Sequence, residues 1–239
     1  MKTSTILIIS AVVITITALT AYNFTLRASY LKGDYKNPFY GMEFTAIKDL
    51  KSVTISSANL VSVTIEQGAK EGIWISNNAE QKVSWSHDGD NLQIDLTKKS
   101  KVERDRIYGR SIVVVTNHLD QVNTKSLFKT ADDENSYVSG EVTISGYKEG
   151  SLQLVMDRAS TVFLDKNKFQ SVKATVGDAQ HGGSSLTVSK DNTIASADFT
   201  VAGESKLSLS GPNIIKTSYN LSDRATVSLN GKTLQAIIH

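Results

Sequence analysis

From Met42 onward, apolar residues recur at every second position with polar residues between them. Val61, Val63 and Ile65 alternate with Ser62 and Thr64 until Gly68 stops the run. Leu92, Ile94 and Leu96 alternate with Gln93 and Asp95, and Val142 and Ile144 end at Gly146. Ile73 and Ile75 flank Trp74, Val83 and Trp85 flank Ser84, and Ile112 to Val115 is a short continuous apolar run. A period of two puts alternate side chains on opposite faces of a strand, so these segments predict short strands joined by turns. No stretch after the N-terminal segment holds a helical period for three turns, and the expectation is an all-β fold.

The second half repeats. Leu152-Gln153-Leu154-Val155-Met156-Asp157 has the same phase as Val172 to Gly177, Ala197 to Ala202 and Thr217 to Ser222. Met156, Val176, Val201 and Leu221 are 20, 25 and 20 residues apart. A second series starts at Val162, Leu186, Leu207 and Val227, with steps of 24, 21 and 20 residues. An insertion near Gln180 to Gly183 accounts for the longer steps. Two strands per repeat with a fixed turn phase predict a parallel β-helix or β-helix-like solenoid with coils of about 20 residues. The alternative is an ordinary antiparallel sandwich with similar strand lengths.

The N-terminal segment has neither pattern. An uncharged run extends from Thr3 to Leu26, with its apolar centre at Ile6 to Ala21. A membrane helix needs about 20 such residues, and lipid forces even β-branched residues into a helix because the backbone must satisfy itself. Residues 1–30 therefore read as an anchor that meets the bilayer through residues 5–22. The rival is a cleaved signal peptide, which wants small residues one and three positions before the cut. Ala18, Ala21 and Ala28 each have a bulky residue two positions earlier (Ile16, Leu19 and Leu26), which favours an uncleaved signal-anchor. Tyr22 and Tyr30 fit the headgroup level. Residues 31–42 read as a tether rich in turn formers and charge, and residues 43–239 as the folded domain. Arg27, Lys32 and Lys36 follow the helix and only Lys2 precedes it, so the positive-inside rule taken literally puts the domain in the cytoplasm. The margin is small, and a short leader before a long domain favours translocation. The expected location is single-pass, with the domain periplasmic.

Composition narrows the chemistry. Hydrophobic residues make up 40% and charged residues 21%, enough for about 200 residues to bury a core. A net charge of +2 lacks the basic excess of a nucleic-acid binder. With no cysteine there is no disulfide, thiolate catalysis or cysteine-linked lipid anchor.

Phe44-Thr45-Ala46-Ile47, the run Leu60 to Gly68, Asp90-Asn91-Leu92-Gln93-Ile94 and turn-plus-strand units such as Gly203 to Gly211 resemble one known family. From Phe44 to the C-terminus the chain is similar to the auto-transporter adhesin head domain, or GIN domain, of Bacteroidetes envelopes. The likeness covers about 195 residues. It departs from the pattern in having few glycines in the repeated turns, Arg158 and Arg224 in their place, and a charged insertion at residues 98–110. The resemblance implies a β-helical, adhesin-like envelope protein and supplies no catalytic residues.

Candidate chemistry is sparse. His87, His118, His181 and His239 have no metal-ligand spacing. Asp88 and Asp90 echo a calcium loop without its remaining ligands, and Asp132-Asp133-Glu134 reads as a solvated acidic loop. No catalytic group, metal or cofactor is expected. The candidate surface residues are Asp157, Arg158, Glu204, Asp223 and Arg224, which recur at one turn phase, and Lys98, Lys99 and Lys101 in the basic run that continues to Arg110. The turn set resembles the acids and arginine of polysaccharide-cleaving β-helix enzymes. It equally fits repeated turn residues forming surface ion pairs, worth about 0–1 kcal/mol each. The lysines suit anionic headgroups or an acidic glycan, or a solvated loop. The leading expectation is a membrane-anchored cell-envelope module that offers its surface to a protein partner or glycan. The alternatives are an accessory subunit of an envelope membrane complex and a polysaccharide-degrading enzyme.

Overall fold

The computed structural model describes residues 3–33, 36–127, 140–179, 183–231 and 234. They fall into two compact units, Met1–Gly41 and Met42–His239. The acidic run 132–134, His181 and His239 lie outside the described residues.

In the first unit, α1 (Thr3–Lys32) is a 30-residue helix with no buried residue. At 1.5 Å per residue it is about 45 Å long, more than the roughly 30 Å of a bilayer's hydrocarbon core. Apolar side chains occur all round it, and no polar face is present to lie on water. Its threonines hide their hydroxyls in the backbone: Thr15, Thr17 and Thr20 donate to the carbonyls of Ala11, Val13 and Ile16 at 2.9, 2.8 and 2.8 Å. Hydroxyls satisfied in this way by the helix's own carbonyls cost little to bury in lipid. The helix is long and apolar enough to cross a membrane, and residues 5–22 lie wholly within it.

The second unit contains seventeen strands among the described residues, in two sheets. The nine-stranded sheet runs β1 (Met42–Ala46), β4 (Gly72–Ser76), β7 (Ile112–Thr116), β3 (Val63–Gln67), β9 (Val142–Ser145), β11 (Thr161–Asp165), β13 (Ser185–Val188), β15 (Lys206–Leu209) and β17 (Thr226–Leu229). The eight-stranded sheet runs β16 (Asn213–Leu221), β14 (Thr193–Val201), β12 (Lys168–Val176), β10 (Ser151–Met156), β8 (Gln121–Thr124), β2 (Ser52–Ile55), β6 (Asn91–Leu96) and β5 (Val83–Asp88). A short helix, α2 (Lys98–Glu103), follows β6.

This corrects the expected β-helix of uniform coils of about 20 residues. The sheets are open, ending at β1 and β17 and at β16 and β5, and they mix parallel with antiparallel pairs. β4 pairs antiparallel with both β1 and β7, and β5 with β6 is an antiparallel hairpin turned by Gly89 at φ 61°. β3 inserts between β7 and β9, and β2 between β6 and β8. A strand placed between partners distant in sequence belongs to no repeating coil. The architecture is a two-sheet sandwich.

The apolar phase of the second half does fix register. Met156 lies opposite Val176, Val176 opposite Val201, and Val201 opposite Leu221, all in parallel pairs. In the other sheet Val162, Leu186, Leu207 and Val227 line up in the same way. A slip of one residue would turn every apolar side chain outward. Inward rows from both sheets, such as Leu154, Ala174 and Phe199 from one and Ile144, Leu164 and Val188 from the other, share one core.

Buried amides and hydroxyls hold the corners where the chain passes between sheets. Asn167 and Asn192 are fully enclosed. The Asn192 Oδ1 accepts from Asn167 N and Nδ2, both at 3.1 Å, while Asn167 Oδ1 accepts from Tyr147 N at 3.1 Å. At the opposite corner Ser184 accepts from Ser160 N at 3.2 Å and donates to the Asp157 carbonyl. Backbone groups that leave one sheet before joining the next thereby find partners without water.

Candidate functional site

The outer face of the eight-stranded sheet carries a row of half-buried side chains in register. Thr54 lies opposite Asn123, Asn123 opposite Val155, and Val155 opposite Thr175. Where β2, β8, β10 and β12 end, this row opens into a cleft of about 650 Å³, completed by Lys125, Asp157, Gly177, Asp178, Ala179 and Ala202. The row is outward because the residues alternating with it (Ile55, Val122, Leu154 and Ala174) fill the core.

The floor is rigid because the parallel ladder continues past the strand ends. Asp157 N donates to Thr124 O at 2.9 Å, Gly177 N to Met156 O at 3.0 Å, and Ala202 N to Val176 O at 2.9 Å. Gly177 turns the chain at φ 75°, and a Cβ added there would overlap the buried Ser205 hydroxyl. That position needs glycine both for its backbone angle and for space. Lys125 and Asp157 make no side-chain hydrogen bond or ion pair among the described residues, so one cation and one anion remain available on the wall of the cleft. Thr54, Asn123 and Thr175 add hydrogen-bonding groups, and Val155, Ala179 and Ala202 add apolar surface. The arrangement suits recognition of an amphipathic or hydroxylated group.

The turn residues singled out in the sequence do not converge on this cleft. Asp157 lines it, and Arg158 follows half-buried in the same turn. Glu204 lies in a later turn and pairs with Arg224, Nη1 to Oε1 at 3.1 Å, with both side chains more than half exposed. Asp223 is exposed beside Arg224. The set is spread along successive turns, and of its members only Asp157 lines the cleft.

The basic run also looks different in three dimensions. Thr97 caps α2 by accepting from Ser100 N at 3.3 Å. Lys101 pairs with Asp95, Lys99 reaches Glu103 at 3.9 Å one helical turn away, and Lys82 reaches Asp105 at 3.3 Å. The Ser100 hydroxyl, with Lys82 beside it, holds the Asp105 carboxyl below the ordinary carboxylate range against partial desolvation. Lys98 is exposed at the start of the helix. Carboxylates therefore interleave the lysines, and no uniform basic patch results. His118 Nε2 lies 2.7 Å from Asp120, and His87 is exposed on β5. Among the described residues no three His, Cys, Asp or Glu side chains are placed to hold a metal ion.

Sequence reasoning found Asp157 through its repeat phase and missed Asn123, Lys125, Thr175 and Gly177. The available signal was a Thr or Asn at an outward strand position just before a turn, repeated in neighbouring strands.

No family pattern matches the chain, and no curated protein matches its sequence. Among solved structures it is similar to a candidate adhesin from Bacteroides fragilis, at 11% identity over 79% of this chain and 95% of that one, with a TM-score of 0.39. A candidate adhesin from Parabacteroides merdae aligns at 11% identity over 79% and 95%, with a TM-score of 0.36. A candidate lipid-binding protein from Parabacteroides distasonis aligns at 14% identity over 80% and 94%, with a TM-score of 0.34. Likenesses at this level carry no functional argument, and they do not establish membership of the GIN family.

Proposed function

We propose that this chain is a membrane-anchored binding module of the cell envelope. In this reading α1 holds it in the bilayer through residues 5–22. The folded unit stands on the periplasmic side and takes a protein or glycan partner at the Asp157 cleft. The observation that carries the reading is α1 itself: thirty residues, apolar all round, with none buried. Exposing so many large apolar side chains to water is strongly unfavourable, at about 25 cal/mol per Å², and lipid is the solvent that removes the penalty.

The cleft supports the binding half of the proposal. It sets Lys125 and Asp157, without partners of their own among the described residues, beside a row of hydroxyl, amide and apolar groups on strands that cannot easily shift. The test uses the full-length protein in native membranes, with chemical crosslinking, capture and mass spectrometry on wild type, Lys125→Glu and Asp157→Lys. The reading predicts a partner captured by wild type and lost from both variants, with all three proteins remaining in the membrane pellet. Capture unchanged in both variants would move the site elsewhere. A single stoichiometric membrane protein as the captured species would identify the module as an accessory subunit.

A further inference from the structure

A second concavity lies on the outer face of the other sheet. It is about 400 Å³ and is lined by Ser62, Thr64, Tyr108, Gly109, Arg110, Glu141 and Thr143. Thr64 and Thr143 lie opposite one another on β3 and β9, so the floor is a pair of central strands. The wall is the segment between α2 and β7. It is pinned to the strands where Ile107 N donates to Leu60 O at 2.9 Å and Ser62 N donates to Ile107 O at 2.8 Å. Ile107 is buried, and Tyr108, the next residue, stands 57% exposed.

The chemistry around this ring is specific. Arg110 Nη2 donates to both carboxylate oxygens of Glu66, at 2.9 and 2.8 Å, which fixes the guanidinium and neutralises it. The Thr143 hydroxyl donates to Glu141 Oε1 at 3.2 Å and holds that carboxylate at the rim. The Ser111 hydroxyl donates to the Tyr108 carbonyl at 2.8 Å, steadying the backbone beneath the ring. Gly109, next in the chain, turns the backbone at φ 64° and puts no side chain into the concavity. An exposed aromatic face beside a fixed carboxylate and strand hydroxyls matches the two surfaces of a sugar ring. The C–H face of the sugar lies on the aromatic ring, and its hydroxyls donate to the carboxylate and exchange hydrogen bonds with the threonines.

The geometry points to a saccharide site at Tyr108, selective for neutral sugars. The Glu141 carboxylate opposes a uronate or sialate, and the Arg110 charge is offset by Glu66. Arg106, whose Nη1 donates to the Tyr108 hydroxyl at 3.5 Å, sets its charge at the hydroxyl end of the ring; the neutral preference therefore rests on Glu141. A volume of about 400 Å³ holds one or two pyranose rings. The site shares no residue with the Asp157 cleft, so it neither requires that reading nor is tested by the same variants.

The test is ligand-observed NMR on the full-length protein in detergent micelles. The probes are neutral tetrasaccharides of glucose, mannose, galactose and N-acetylglucosamine, with an oligouronate as the charged comparison. The expected result is saturable, millimolar-range binding of at least one neutral probe and weaker binding of the oligouronate. Tyr108→Ala should weaken it about tenfold or more and Glu141→Gln about tenfold, whereas Tyr108→Phe, which keeps the ring, stays within about threefold. Both positions are exposed, and an unchanged melting temperature in each variant separates lost binding from lost folding. No saturable binding by any neutral probe, or equal binding by wild type and Tyr108→Ala, would overturn the proposal.

Discussion

Replacing Asn192 by Ala tests the buried corner that joins the two sheets. The Asn192 Oδ1 accepts from Asn167 N and Nδ2, and its Nδ2 donates to Leu164 O at 2.7 Å and Ser189 O at 2.9 Å. Some of these partners have substitutes. Leu164 O keeps the bond from Ser189 N at 3.0 Å, and Asn167 Nδ2 keeps Ile144 O at 2.9 Å. Asn167 N does not, and one buried, orphaned donor costs about 1–3 kcal/mol. Adding about 1 kcal/mol for the lost amide packing and bonds gives a loss of about 3 kcal/mol. For a unit of this size that lowers the melting temperature by about 6–12 °C. Circular dichroism on the full-length protein in detergent reads it directly. Asn167→Ala alone should cost a similar amount, and the double variant about 1 kcal/mol less than the sum, because either substitution removes the same bond from Asn167 Nδ2 to Asn192 Oδ1. A loss below about 1 kcal/mol, or strict additivity, would refute the reasoning.

Four further outcomes follow from the same structure. Phe199 is fully buried and stacks on Tyr219 with ring centres 6.0 Å apart, so Phe199→Ala should lose about 3–5 kcal/mol in denaturant unfolding. Ile215→Ala, at a position 71% exposed, should change stability by less than about 0.5 kcal/mol. Val13→Arg places a charge at the middle of the membrane segment 5–22, at a cost of about 2.5–3.5 kcal/mol for insertion; carbonate extraction should then release a larger share of the protein than of wild type. The Asp105 carboxyl is held below its ordinary 3.8 by Ser100 and Lys82. Its stabilising contribution is therefore complete above about pH 4 and is lost as pH falls through the lowered value. The gap in melting temperature between wild type and Asp105→Asn should be open at neutral pH and close on strong acidification.

Local phase was legible in the sequence where neighbours in the sheet are also neighbours in the repeat. Met156, Val176, Val201 and Leu221 share an apolar phase because parallel pairing stacks them, and their spacing fixed the register. The first half hid its order because alternation says which side of a strand is inward and nothing about which strand lies beside it. Val63 and Ile65 read the same whether β3 pairs parallel or antiparallel, and its place between β7 and β9 comes from contacts distant in sequence. The uniform coil failed for that reason. The cleft was hidden in a similar way: Thr54, Asn123, Val155 and Thr175 adjoin only after four strands align. Tyr108 and Arg110 lie inside a charged insertion that begins with Lys98, Lys99 and Lys101. Folding gives Lys99 and Lys101 carboxylate partners and leaves the tyrosine exposed.

The proposed module meets its partner through the outer face of the eight-stranded sheet. The most direct test is site-specific photocrosslinking in intact membranes, with a photoreactive residue at Thr175 in the cleft and at Thr187 or Ser208 on the other sheet. The account predicts a discrete adduct from position 175 that is absent from the other two positions and lost when Lys125→Glu is added. Adducts of equal yield from both sheets, or from positions 187 and 208 alone, would contradict it.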